Sequence, residues 1–248
     1  MKVFSVCGIT GSGKTTTIER IITELRKRRY SVGSVKEIHF EQFAIDTDGT
    51  NTHRHKMAGS QLVTAKGYYE TDILFQKSLS IKEIMKFYDH DYLILEGSSD
   101  VNVPKILTAH NTEEVNERMD HSVFLMSGIL SNTLDTYLGI PCISAVEEVE
   151  AIVDIIEEKV CTILPNVPSA CCGECGSSCE ELLGSILRGE KRREDCGLDQ
   201  QGISLTIDGQ EIAMVPFVQK ILENAVRGVV SELDGYREQG TIEIRMKP

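Results

Sequence analysis

Two groups of residues in this 248-residue chain have types and spacings that could do chemistry. The first is Gly8-Ile9-Thr10-Gly11-Ser12-Gly13-Lys14-Thr15, which fits G-x-x-x-x-G-K-[ST] in full. Glycines at this spacing let the backbone curl until successive N–H groups point at phosphate oxygens, and a following helix adds the positive end of its dipole. Lys14 would then reach the β- and γ-phosphates of GTP or ATP and Thr15 would offer its hydroxyl to Mg²⁺. Gly8, Thr10, Gly11, Ser12, Gly13 and Thr16 complete the cradle. The second group is Cys172-x2-Cys175-x3-Cys179-x16-Cys196, with Cys171 beside Cys172. Soft thiolates at this density select an iron–sulfur cluster or zinc. Zinc usually takes two C-x-x-C knuckles and this run has one, so a [4Fe-4S] cluster is expected and zinc is the alternative. Cys171 competes with Cys172 as the first ligand.

A phosphate-binding loop needs an acidic group at the end of a neighbouring strand to hold the magnesium ion or its water. Asp91-Tyr92-Leu93-Ile94-Leu95-Glu96-Gly97 supplies Glu96 at the carboxyl end of an apolar run. Asp91 lies at the other end, roughly 15 Å away at about 3.3 Å per residue, and is expected to be structural. Lys36, Glu37 and His39 follow the second expected strand, and Asp46, Asp48, Gly49, His53, Arg54 and His55 come in the polar stretch after it. Loops at strand ends are where open α/β sheets bind ligands, so Asp46 or Asp48 joins Lys14 and Glu96 as a candidate catalytic group. Lys36 or Arg54 would meet phosphate charge. His53 and His55, two residues apart, would share one face of a strand, and no metal site is assigned to them. Asn132-Thr133-Leu134-Asp135 lacks the lysine of a guanine-reading N-K-x-D loop, which leaves ATP and GTP both open. Cys7, Cys142 and Cys161 sit in apolar surroundings and read as small buried hydrophobes.

These groups need elements to position them. Val3–Cys7 reads as a strand, and Ile18, Ile21, Ile22 and Leu25 recur at helical spacing after the loop. Further strands are expected at 31–35, 61–65, 92–95 and 122–126, with helices at 81–88 and 146–160 and a last short strand at 140–144. The class is therefore α/β: a P-loop NTPase with a mostly parallel sheet flanked by helices. Pro165 and Pro168 interrupt regular structure just before the cysteines, which suggests a nucleotide-binding domain over 1–166, a cysteine module over 167–197 and a terminal segment over 198–248. In that last segment a hairpin is expected at 203–214, turning at Asp208-Gly209. A helix with Phe217, Ile221, Ala225 and Val229 facing inward should follow, with a final strand at 241–246.

Charge narrows the function classes. The net charge is −12, and residues 1–36 carry +6 of it, which leaves −18 on the remainder. Nucleic-acid binders need basic surface to displace counterions, so a general one is excluded. A basic start on an acidic body suits a small polyphosphate ligand. No apolar run approaches the roughly 18 residues of a membrane span, and the N-terminus runs straight into a strand and loop, so a cytoplasmic, reducing setting is expected.

Gly8–Thr17, Val35-Lys36 with His39, Asp46 through Arg54 followed by Ala58-Gly59, and Leu95-Glu96-Gly97 with Pro104-Lys105-Ile106 resemble the MobB family over about residues 1–165. That family consists of P-loop proteins of molybdenum-cofactor maturation. The resemblance implies GTP binding, slow hydrolysis, a homodimer and assistance to enzymes that attach a nucleotide to molybdopterin. The cysteine run, with Leu182–Glu190 after it, resembles the small four-cysteine [4Fe-4S] domain of anaerobic electron-transfer and carbon-monoxide-metabolising proteins. It has one residue fewer between the second and third cysteines. Two functions follow: an accessory NTPase of molybdenum or tungsten cofactor maturation, or an iron–sulfur NTPase gating electron delivery or metal insertion into a client metalloenzyme. A small-molecule kinase ranks below both, since no Arg-rich lid segment is evident.

Overall fold

The computed structural model describes residues 1–40, 43–97, 101–165, 175–196, 203, 205–207, 210–212, 214, 216–237 and 242–244. The chain divides into two compact units, Met1–Val160 and Cys161–Pro248.

The first unit opens with β1 (Lys2–Gly8), α1 (Lys14–Lys27) and β2 (Val32–Lys36), then α2 (Asn51–Met57), the strands β3 (Leu62–Lys66) and β4 (Thr71–Phe75), and α3 (Ile81–Met85). It continues through β5 (Tyr92–Glu96), β6 (Lys105–Thr108), α4 (Thr112–Arg118) and β7 (Val123–Ser127). A 3₁₀ turn at Gly128–Asn132, the short pair β8 (Thr136–Tyr137) and β9 (Ile140–Pro141), and α5 (Val149–Lys159) complete it. Five strands form one parallel sheet in the order β2-β5-β1-β6-β7. Val3, Phe4 and Val6 of β1 and Tyr92–Leu95 of β5 are buried, the near-continuous apolar pattern of strands covered on both faces. Ile18, Ile21 and Leu25 of α1 and Ile152, Val153 and Ile156 of α5 are likewise buried. The side on which strands are added switches about β1, since β2 and β5 lie on one side and β6 and β7 on the other; the carboxyl end of β1 is thus the crevice where such sheets bind ligands.

The sequence reading placed 61–65 among the strands of the central sheet. The structure instead pairs β3 with β4 in a separate antiparallel hairpin, Leu62 opposite Phe75 and Lys66 opposite Thr71. Only Val63 of β3 is buried, which is too little apolar surface for a central strand. β1 is flanked by β5 on one side and by β6, a four-residue strand, on the other. His53 and His55 lie on a helix, not a strand; two residues apart at about 100° per residue, they point to different sides.

In the second unit α6 (Cys179–Leu187) starts at a capping box formed by Ser178 and Glu181, and Leu182, Leu183 and Leu187 are buried. Arg193, in a 3₁₀ turn at 193–195, donates to the carbonyl oxygens of Thr162 and Ile163, each at 2.7 Å. Next come β10 (Leu205–Ile207), paired antiparallel with β11 (Gln210–Ile212), and α7 (Pro216–Val230). The turn at 208–209 lies outside the described residues, and residues 242–244 carry no strand. Phe217, Ile221 and Val229 are not inward-facing: they are 74%, 53% and 68% exposed. Helical spacing decides which side chains share a face, but covering that face takes a neighbouring element. The three-residue strands, whose Ile207 and Ile212 are themselves exposed, do not provide one. Among the described residues no helix is long and apolar enough to cross a membrane.

Arg28, at the end of α1, ties that helix to α5. Its guanidinium meets Glu24 at 2.9 Å, Asp154 at 2.6 Å and Glu157 at 3.0 Å, and donates to the Glu150 carbonyl at 3.1 Å. The Arg28 guanidinium, helped by Lys27, holds the Glu24 carboxyl below its ordinary range. We expect Arg28→Ala to cost about 1–2 kcal/mol in urea unfolding at neutral pH. A carboxyl with a lowered folded pKa contributes stability above its unfolded pKa and loses it as pH falls through the folded one. The gap between wild type and variant should therefore narrow in acid.

Candidate functional site

The loop between β1 and α1 is shaped by what surrounds it. Gly8, Gly11 and Gly13 have φ of 149°, 79° and 103°, and Gly13 is the N-cap of α1. No side chain caps that helix, so the N–H groups of its first turn face the cleft without a side-chain acceptor. Ser12 is fully buried: its hydroxyl donates to the Ile9 carbonyl at 2.8 Å and lies 2.7 Å from Thr108 Oγ1. Gly128, with φ of 79°, packs under the loop, where a Cβ would overlap the Ser12 carbonyl; Ile129 N–H donates to that same carbonyl at 3.2 Å.

Lys14 Nζ donates to the carbonyls of Gly8 at 2.8 Å and Ile9 at 2.6 Å, which parks the ammonium across the loop. Thr15 Oγ1 donates to Glu96 Oε1 at 3.3 Å, and Lys36 Nζ pairs with the same oxygen at 2.6 Å. Glu96 is reached because β5 lies beside β1 in register, Val6 opposite Glu96, and the Gly97 N–H that follows donates to the Val6 carbonyl at 3.1 Å. Lys36 is reached because β2 is in register with β5, Lys36 opposite Glu96. These residues line a cleft of about 980 Å³ with Thr10, Thr16, Glu37, His39, Lys105 and Arg118. Cys7 lines it too, half-buried, with its thiol pushed up chiefly by burial.

Asp46 and Asp48 are not among the residues lining the cleft. One oxygen of Asp46 accepts from Thr47 N–H and from the hydroxyls of Thr50 and Thr52, which hold its carboxyl below the ordinary range; Asp46 thus organises the entry to α2. Asp48 is exposed and pairs with His53 Nδ1 at 3.1 Å. Asp91 takes the expected structural role, accepting from the Ser31 N–H at 2.7 Å and hydroxyl at 2.8 Å. The sequence reading missed Thr108 and Gly128, since a threonine in a short strand and a lone glycine carry no motif of their own.

Of the cysteines, Cys171 and Cys172 lie outside the described residues. Cys175 precedes a left-handed Gly176, Cys179 opens α6, and Cys196 is 2% exposed at the end of the 3₁₀ turn. Lys191 Nζ donates to the Cys175 carbonyl at 3.2 Å and to Ser177 Oγ at 3.4 Å. Among the described residues no three His, Cys, Asp or Glu side chains are gathered closely enough to hold a metal ion. Cys142 is buried, and burial pushes its thiol up to about 11.

A parallel sheet with a Gly-rich loop at the carboxyl end of its middle strand, a lysine folded over that loop and an acidic residue on the adjacent strand define a P-loop α/β domain. Residues 3–127, half of the chain, match the family described as Molybdopterin guanine dinucleotide synthesis protein B, MobB. The chain belongs to that family. A candidate molybdopterin-guanine dinucleotide biosynthesis adapter protein of Methanocaldococcus jannaschii is 26% identical over 253 aligned positions, 99% of this chain and 97% of that protein. The Haemophilus influenzae adapter of the same name is 31% identical over 110 residues, 42% of this chain and 61% of that protein. The crystal structure of Bacillus subtilis MobB superimposes with a TM-score of 0.54 at 20% identity, over 62% of this chain and 96% of that one, and so shares the fold.

Gly128→Ala tests the packing beneath the loop. It should cost about 2 kcal/mol or more in urea unfolding, while Gly139→Ala, at φ of 75° with nothing within 4 Å, should cost only about 1 kcal/mol of backbone strain.

Proposed function

We propose that this protein is a Mg²⁺-dependent nucleoside triphosphate-binding accessory protein, an adapter in molybdenum or tungsten cofactor maturation, that hydrolyses GTP or ATP slowly. The observation that carries the nucleotide reading is the convergence of Lys14, Thr15 and Glu96 at the carboxyl ends of β1 and β5. Thr15 and Glu96 are a hard-oxygen donor pair of the kind that holds Mg²⁺, whose chemistry when bound is to neutralise charge on phosphate oxygens. Lys14 exchanges its two carbonyl acceptors for phosphate oxygens, a stronger charge-assisted bond. Lys36 leaves Glu96 and adds its charge to the phosphate end of the cleft. The adapter role is supported by family membership and by the names of the Methanocaldococcus and Haemophilus relatives. A homodimer is supported by the apolar residues of the β3–β4 hairpin, where Leu62 and Ile73 are exposed and Tyr68 and Tyr69 stand wholly in solvent.

The test is titration of Mg-GTP and Mg-ATP into wild type and Lys14→Ala. Wild type should bind at least one of them, and the variant should bind it roughly 100-fold more weakly at unchanged thermal stability. No binding to wild type, or equal binding to both proteins, rejects the reading.

The cysteine spacing supports a [4Fe-4S] cluster on Cys175, Cys179, Cys196 and one of Cys171 or Cys172, and with it the second reading, an NTPase that gates electron delivery or metal insertion into a client metalloenzyme. As placed, the three described cysteines do not form a ligand set. Protein purified without oxygen should contain about four iron and four acid-labile sulfide per chain. One zinc without iron would make the module a structural staple and remove the gating reading.

A further inference from the structure

β6 does more than brace the loop. It runs beside β1 with Thr108 opposite Gly8, so the chain leaves the sheet at the level of the phosphate-binding loop and presents His110 there. The His110 N–H donates to Glu114 Oε2 at 2.9 Å, and the ring Nδ1 lies 3.2 Å from both oxygens of that carboxylate. Glu114 is itself fixed: its N–H donates to Asn111 Oδ1, the cap of α4, at 3.0 Å. An ionised carboxylate only accepts, so Nδ1 carries a hydrogen and the ring turns Nε2 the other way. On that side stands Gly11 of the loop: a Cβ built there would lie 3.6 Å from Nε2 and 3.9 Å from Cε1. The His110 side chain is 33% exposed, and Nε2 makes no hydrogen bond among the described residues.

We infer that His110, held by Glu114, is a binding residue for the polyphosphate of the nucleotide, donating from Nε2 to a phosphate oxygen beside Gly11. This rests on the nucleotide reading of the loop and adds a contact from outside its motif. A carboxylate behind an imidazole orients the ring, and a ring bonded to that carboxylate on one side and to a phosphate oxygen on the other donates from both nitrogens. The role divides cleanly: His110 touches the ligand, and Glu114 is a positioning residue.

Inorganic tripolyphosphate, which has phosphates but no nucleoside, is the decisive probe beside GTP and ATP. His110→Ala should weaken tripolyphosphate and the nucleoside triphosphate alike, each by roughly 10-fold. His110→Gln should recover most of that loss, because its amide N–H reaches a similar position, and Glu114→Gln should fall between. In ¹⁵N-histidine-labelled wild type, tripolyphosphate should shift the His110 Nε2 resonance, a signature that a merely structural histidine would not give and that decides the matter if His110→Ala fails to fold. An unshifted resonance, unchanged affinities, or a loss confined to nucleoside triphosphate would overturn the inference and leave the nucleotide reading standing. Wild type that binds no nucleoside triphosphate would remove both.

Discussion

The buried contact between the hydroxyls of Ser12 and Thr108, 2.7 Å apart, is the constraint on which the rest of the site depends. A phosphate-binding loop must keep most of its N–H groups turned toward a ligand, so backbone bonds of its own stiffen it little; here a long one runs from the Ser12 N–H to the Ile9 carbonyl at 3.4 Å. Stiffness has to come from behind. Here Ser12 turns its hydroxyl away from the cleft to Thr108 and the Ile9 carbonyl, while Ile129 bonds to the Ser12 carbonyl and Gly128 packs against Gly13. Strand β6 and the turn after β7 therefore act as a mould, and the parallel register of β1 with β6 sets its height. Unpaired, either hydroxyl would cost on the order of 1–3 kcal/mol at this depth.

Much of this was legible in the sequence because the signals are local. A strand, a loop of fixed glycine spacing and a helix of apolar period follow one another within residues 2–27, and each agrees with the next. The Tyr92–Glu96 run was readable for the same reason: continuous apolar residues ending in a carboxylate mean a strand buried on both faces with its polar end at the crevice. Lys36 is legible as a charge at the end of β2, and register places it against Glu96. The mould itself was not legible. Thr108 and Gly128 matter through contacts 96 and 116 residues away from Ser12, and spacing rules see nothing at that range.

Where the reading failed, a correct local pattern lacked a tertiary context. Residues 62–66 do form a strand, but whether it joins the main sheet depends on apolar residues on both faces, and β3 buries only Val63. Asp46 and Asp48 sit in a loop at the right end of the sheet, yet the threonine hydroxyls of their own turn capture one and His53 the other. Short-range donors win over a distant ligand because they cost less chain entropy to bring together. Helix α7 shows the same logic: four-residue spacing aligned Phe217, Ile221 and Val229 on one stripe, and the stripe is exposed.

Electrostatics explains why an acidic chain keeps a basic beginning. Glu96, at 15% side-chain exposure, has little water around it and meets its partners within the protein. Lys36 Nζ at 2.6 Å supplies charge and Thr15 Oγ1 at 3.3 Å a hydrogen bond, both to one oxygen. Lys14 is held in the same way by the Gly8 and Ile9 carbonyls. Both lysines thus have defined partners, and on the proposed nucleotide reading a polyphosphate with its counter-cation would replace them group for group: phosphate oxygens for the two carbonyls, a cation for Lys36 at Glu96. On that reading the charges exchange partners instead of being desolvated anew, which limits the free-energy cost of filling the cleft.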